Sequence, residues 1–143
     1  MPPVRDGEAV VFAMLNRGKK SLVLDLKSES DRKALAPLLQ KADVIVEQFR
    51  PGVMERLGLG FEAVKTLNPR IVYCSISGYG QSGARAGEAG HDINYVAATG
   101  LLALQPGPLD RPVVPPALVA DIGGGPGTLC AVAGRARLPG GTP

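Results

Sequence analysis

Two residues of this chain have types and neighbours that suggest chemistry. His91, the only histidine, lies in Gly90-His91-Asp92-Ile93-Asn94-Tyr95, downstream of a glycine-rich stretch. An unperturbed imidazole titrates at about 6.5, so at neutral pH it can both take and return a proton. Asp121 follows the apolar run Ala117-Leu118-Val119-Ala120 and precedes Gly123-Gly124-Gly125. A carboxylate there is expected at the mouth of a turn, beside backbone N–H groups able to hold an oxyanion. The plainer readings are a structural histidine and a helix N-cap. Taken together, the two suggest moving a proton on and off a carbon next to a carbonyl. That reaction needs two acid/base groups on opposite faces and a stabilised enolate oxygen. An imidazole and a carboxylate can do it without a metal, and a thioester helps because its α-proton is comparatively acidic.

Other chemistries find little support. Cys74 and Cys130 form no C-x-x-C pair, and with one histidine there is no zinc constellation. Their apolar neighbours predict buried, reduced thiols. The glycine run lacks the G-x-G-x-x-G order of a dinucleotide fingerprint. The net charge is +3, its basic residues are scattered apart from Arg17, Lys19 and Lys20, and aromatics are 4% of the chain, so nucleic acid is not an expected partner. No apolar run approaches the roughly 20 residues that span a bilayer. The first residues show no secretory or transit pattern, which makes a cytoplasmic location the expectation.

The elements that must position these groups follow from periodicity. Ser21 to Leu26 reads as a short strand after the polar turn Asn16 to Lys20. Ser28 is an N-cap candidate, with acidic residues in the first turn and Leu35, Leu38 and Leu39 at helical spacing as far as Lys41. Val44-Ile45-Val46 predicts a strand buried on both faces. Val53 to Leu57 and Phe61 to Leu67 predict two short helices, separated at Gly58 to Gly60 and ended by Asn68-Pro69. Ile71 to Ile76 predicts another strand. This alternation indicates βαβ units, hence an α/β fold with a Rossmann-like parallel sheet and flanking helices. The loop Ser77 to Gly83 leaves the carboxyl end of the last strand, where open α/β sheets place ligands. Asp92 to Leu104 predicts a helix weakened at Gly100, and Pro106 to Pro116 a connection. Residues 1–15 read as an irregular segment and 131–143 as a poorly ordered tail. A sheet of three short strands with an unpartnered edge is a poor stand-alone domain.

Three blocks in order resemble the family III CoA-transferases and their racemase relatives. They are Asn16-Arg17-Gly18-Lys19-Lys20-Ser21-Leu22-Val23-Leu24-Asp25-Leu26-Lys27, Ala42-Asp43-Val44-Ile45-Val46-Glu47-Gln48-Phe49-Arg50-Pro51-Gly52-Val53-Met54, and Leu67-Asn68-Pro69-Arg70-Ile71-Val72-Tyr73. The resemblance implies that residues 16–130 are part of a CoA-binding α/β domain, an incomplete version of the family's large domain. The segment Gly90 to Tyr95 is similar to the racemase branch, which implies His91 and Asp121 as the acid/base pair acting on a 2-methylacyl-CoA thioester. In the transferase branch the same aspartate is the nucleophile, and an inactive truncated remnant is the remaining alternative. CoA contacts implied by the resemblance fall on Leu24, Asp25, Leu26, Lys27, Gln48, Phe49, Arg50, Arg56, Gly90, Asp92, Ile93, Asn94 and Tyr95. Arg50 and Arg56 suit phosphates because guanidinium forks match them, although surface ion pairs are the plainer reading. The resemblance implies an acyl-CoA as the substrate, no separate cofactor or metal, and a homodimer for the full-length protein.

Overall fold

The structure is a computed structural model that describes residues 3–5, 7–108, 110–125 and 127. The chain divides into two units, Met1–Arg32 and Lys33–Pro143. The first opens with a small antiparallel hairpin, β1 (Val4–Arg5) and β2 (Glu8–Ala9), paired Val4 to Ala9 and Arg5 to Glu8. Gly7 in its connection takes φ 82°. Helix α1 (Val10–Asn16) follows directly, so the stretch expected to be irregular holds two strands and a helix.

Ser21 to Leu26 was expected to be a strand and is not one. Its backbone groups are bound locally instead. The Asp25 N–H donates to Asp31 Oδ2 at 2.8 Å, and the Leu26 carbonyl accepts from Arg32 Nη1 at 2.8 Å. Leu22 and Val23 are left 59% and 92% exposed. Ser28 serves as the expected N-cap of α2 (Glu29–Lys41): its carbonyl accepts from the Arg32 amide at 3.1 Å. The boundary between the two units falls inside this helix.

In the second unit, β3 (Val44–Glu47) is followed by α3 (Val53–Arg56), α4 (Phe61–Leu67) and β4 (Val72–Ser75). The two strands pair in parallel, from Val44 with Val72 to Glu47 with Ser75. This is the β-α-β arrangement the alternating pattern predicts. The sheet has two strands among the described residues, so β3 is not buried on both faces and Val46 stays 46% exposed. Among the described residues, the buried apolar side chains are Leu39, Met54, Leu59, Val64, Ile71 and Val96. Asn68 ties the end of α4 to the end of α2: its Nδ2 donates to the Leu39 and Ala42 carbonyls at 3.1 and 2.7 Å, and its Oδ1 accepts from the Arg70 amide at 3.2 Å.

Beyond the sheet, α5 (Asp92–Ala98) ends as Gly100 takes φ 79°, and a 3-10 turn, Leu101–Leu104, continues the chain. Residues 119–125 form a further helix, α6. None of the described helices is long and apolar enough to cross a membrane. Cys74 is half-buried on β4, whereas Cys130 and the tail 131–143 lie outside the described residues.

Candidate active site

Because β3 and β4 are parallel, both carboxyl ends emerge on one edge of the sheet. From β3 comes the turn Gln48 to Gly52. The Phe49 N–H donates to Glu47 Oε2 at 2.8 Å, and the Val53 N–H to the Arg50 carbonyl at 3.1 Å. Gly52 adopts φ 80°, and a Cβ there would stand 3.2 Å from Arg56 Nη1, so the Arg56 guanidinium lies against the turn. Gln48, Phe49, Arg50 and Arg56 are all exposed.

From β4 comes the loop 77–90, which closes onto α5 through Tyr95. The phenol occupies the space a Cβ would need at Gly78, and a Cβ on Gly90 would come within 2.8 Å of the ring. Tyr79 packs edge-on against Tyr95 with centroids 5.1 Å apart. Arg85 covers the Tyr79 ring at 3.9 Å and pairs with Glu88 at 2.9 Å. The Glu88 carboxylate, hydrogen-bonded to the Arg85 guanidinium, raises the arginine further above its ordinary value. The glycines at 78 and 90 are therefore sites of close approach.

His91 occupies the N-cap of α5 and is exposed. Its backbone N–H donates to Asn94 Oδ1 at 2.9 Å, and its carbonyl accepts from the Asn94 backbone amide at 2.9 Å. This reciprocal pair holds the turn from which the imidazole projects. The next residue, Asp92, is buried, and its Oδ1 accepts from the N–H groups of Ala120 at 2.6 Å and Asp121 at 3.0 Å. Those are the second and third amides of α6, the groups an N-cap side chain normally satisfies. Leu118, whose carbonyl accepts from the Ile122 amide at 2.9 Å, stands at the cap position but has no side-chain acceptor. Asp92 supplies one from 28 residues away.

The consequence is chemical. The residue after His91 is bonded to the backbone of Asp121, which ties the turn carrying His91 to the first turn of α6, where Asp121 is exposed. The same bonds correct one expectation. The Ala120 and Asp121 N–H groups are engaged by Asp92 and do not form an oxyanion hole beside Asp121. Three glycines in α6 each cost about 1 kcal/mol of helix stability relative to alanine, so this helix depends on its cap.

A sequence model of CoA-transferase family III matches residues 1–138. The chain belongs to that family. It is 45% identical over 128 residues to the alpha-methylacyl-CoA racemase of Homo sapiens, covering 90% of this chain and 33% of the racemase. It is 39% identical over 132 residues to the acetyl-CoA:oxalate CoA-transferase of Acetobacter aceti, covering 92% of this chain and 34% of the relative. Among solved structures, a CaiB/BaiF family protein from Brucella suis superposes with a TM-score of 0.74 at 34% identity, over 93% of this chain and 37% of that protein. The chain thus spans about a third of the length of the relatives it matches.

Within this family III segment, the expected site residues divide into groups. His91, Asp92, Asn94 and Tyr95 lie on the first turn of α5, where Asp92 accepts from the Asp121 amide, with Gly90 against the Tyr95 ring and Ile93 half-buried on the helix. The oxygens of Asp92 and Asn94 that accept these bonds serve the fold. Gln48, Phe49, Arg50 and Arg56 gather on the turn after β3. Leu24, Asp25, Leu26 and Lys27 belong to the first unit, where Asp25 Oδ1 accepts from the Lys27 amide at 2.9 Å and Arg32 Nη1 reaches the Lys27 carbonyl at 2.8 Å. Among the described residues, no group of His, Cys, Asp or Glu is arranged to hold a metal. An apolar hollow of about 200 Å³ lies beyond the other end of α5, lined by Ala97, Leu102, Ala103 and Pro108 among others. Sequence reasoning missed the bond from Asp92 to α6 and the Arg85–Tyr79 stack. No local signal marks the first, since its partners lie 28 and 29 positions away.

Proposed function

We propose that the protein carrying this chain epimerises a 2-methylacyl-CoA thioester by α-proton exchange, with His91 and Asp121 as the two acid/base groups. One removes the α-proton, and the C–H electron pair delocalises onto the thioester oxygen as an enolate. The other then delivers a proton to the opposite face of the same carbon. The exposed Arg50 and Arg56 at the carboxyl edge of β3 are suited to the nucleotide phosphates as bidentate donors. The observation that carries this reading is the Asp92 bridge, which couples the residue next to His91 to Asp121. The identity to a racemase supports it as well.

A second reading, CoA transfer with Asp121 as nucleophile, draws support from the 39% identity to an oxalate CoA-transferase. The two predict different covalent chemistry. Purified protein is incubated with a 2-methylacyl-CoA in D₂O while the α-proton signal is followed by NMR. The α-proton reading predicts its loss without any protein adduct. An acyl or CoA adduct trapped on Asp121, with no loss of the α-proton, would replace that reading by the transferase one.

A further inference from the structure

We infer that Asp92 is a positioning residue for this reaction, setting the Asp121 helix against the His91 turn. The inference rests on the α-proton reading above. Asp92 is 8% exposed, which leaves its carboxylate little access to a ligand. Its Oδ1 receives two amides of one helix while its own backbone opens another, so one residue joins the turn that carries His91 to the turn that carries Asp121. Helix α6 has no capping side chain at Leu118 and carries Gly123, Gly124 and Gly125. Its first turn, and with it Asp121, takes its place from Asp92. The neighbouring contacts leave this role to Asp92: Asn94 closes the His91 turn, and Tyr95 fills the space over Gly78 and Gly90.

What matters on this account is the position of one oxygen, not the negative charge. Asp92→Asn keeps an acceptor at the Oδ1 position without the charge. Asp92→Glu keeps the charge and moves the oxygen out by a methylene. Misplacing a reacting group by about 1 Å costs up to about 100-fold in rate. The test is α-proton exchange kinetics on purified wild type, Asp92→Ala, Asp92→Asn and Asp92→Glu, together with hydrogen exchange at the Ala120 and Asp121 amides. Asp92→Ala and Asp92→Glu should lower kcat by about 30- to 100-fold with KM changed less than about threefold, and should release protection at those two amides. Asp92→Asn should stay within about threefold of wild type and keep the protection. Should Asp92→Ala fail to fold, the Asn and Glu pair still decides. A Glu variant that outperforms the Asn variant, or an Ala variant with wild-type kcat, overturns the inference and leaves the racemase reading standing. Wild type that exchanges no α-proton overturns both.

Discussion

Replacing Asn68 tests how the ends of α4 and α2 are held together. Its side chain is 9% exposed and makes three hydrogen bonds, two of which close the carboxyl end of α2 at Leu39 and Ala42. At a net ~0.5–1.5 kcal/mol each, their loss in Asn68→Ala destabilises by about 2–4 kcal/mol. That is a large share of the roughly 5–15 kcal/mol typical of a domain, and it lowers Tm by roughly 5–15 °C. Asn68→Asp is more informative. It keeps the acceptor for Arg70 but turns the donor that faces two carbonyls into an anionic oxygen. The ionised form is disfavoured there, so the folded-state pKa of the substituted carboxyl rises above its unfolded value of roughly 3.9. A raised folded pKa gives a contribution that is present below the unfolded value and lost as pH rises through the folded one. Relative to wild type at the same pH, Asn68→Asp should be most destabilised at neutral pH and least so near pH 4. Urea melts at the two pH values measure this. A wild-type midpoint in Asn68→Ala, or a deficit in Asn68→Asp independent of pH, would refute the reasoning.

Three further predictions concern the packing and the binding edge. Gly78→Ala drives a methyl into the Tyr95 phenol and should cost about 1–3 kcal/mol, an effect the double variant with Tyr95→Ala should largely remove; thermal melts of the three proteins test it. The Tyr73 hydroxyl donates to the Leu59 carbonyl at 2.9 Å, and burial, aided by Glu47 and Glu55, pushes its pKa up to about 12. Its contribution to stability is intact below the ordinary tyrosine value of about 10 and declines between there and pH 12, so Tyr73→Phe should lose its deficit across that window; ultraviolet titration of wild type should show one late phenol. Arg56→Ala and Arg50→Ala should each weaken CoA-thioester binding by about tenfold, less so at high salt, as calorimetry at two ionic strengths would reveal.

The β-α-β core was legible because local signals and tertiary structure agree there. Asn68-Pro69 stops α4 where the sequence says it should, and Gly100 ends α5. Ser21 to Leu26 misled because β propensity forms a strand only with a ladder partner, whereas Asp31 and Arg32 take its backbone groups first. At the site, the types and spacing of His91 and Asp121 made them candidates, but the bond joining their neighbourhoods runs from Asp92 across 28 positions. Asp121 looked like an N-cap and stands inside the first turn of α6. The cap is Asp92, a distant residue that no local motif could announce.

The most direct test of the central claim follows α-proton exchange from each enantiomer separately. (R)- and (S)-2-methylacyl-CoA are incubated in D₂O with wild type, His91→Ala and Asp121→Ala, and NMR records deuterium uptake. Two groups acting on opposite faces predict that wild type exchanges both enantiomers and interconverts them. Each variant should lose interconversion and retain deuterium uptake, if any, from one enantiomer only, the opposite one in the two cases. Interconversion that survives in either variant would contradict the assignment of His91 and Asp121 as the acid/base pair.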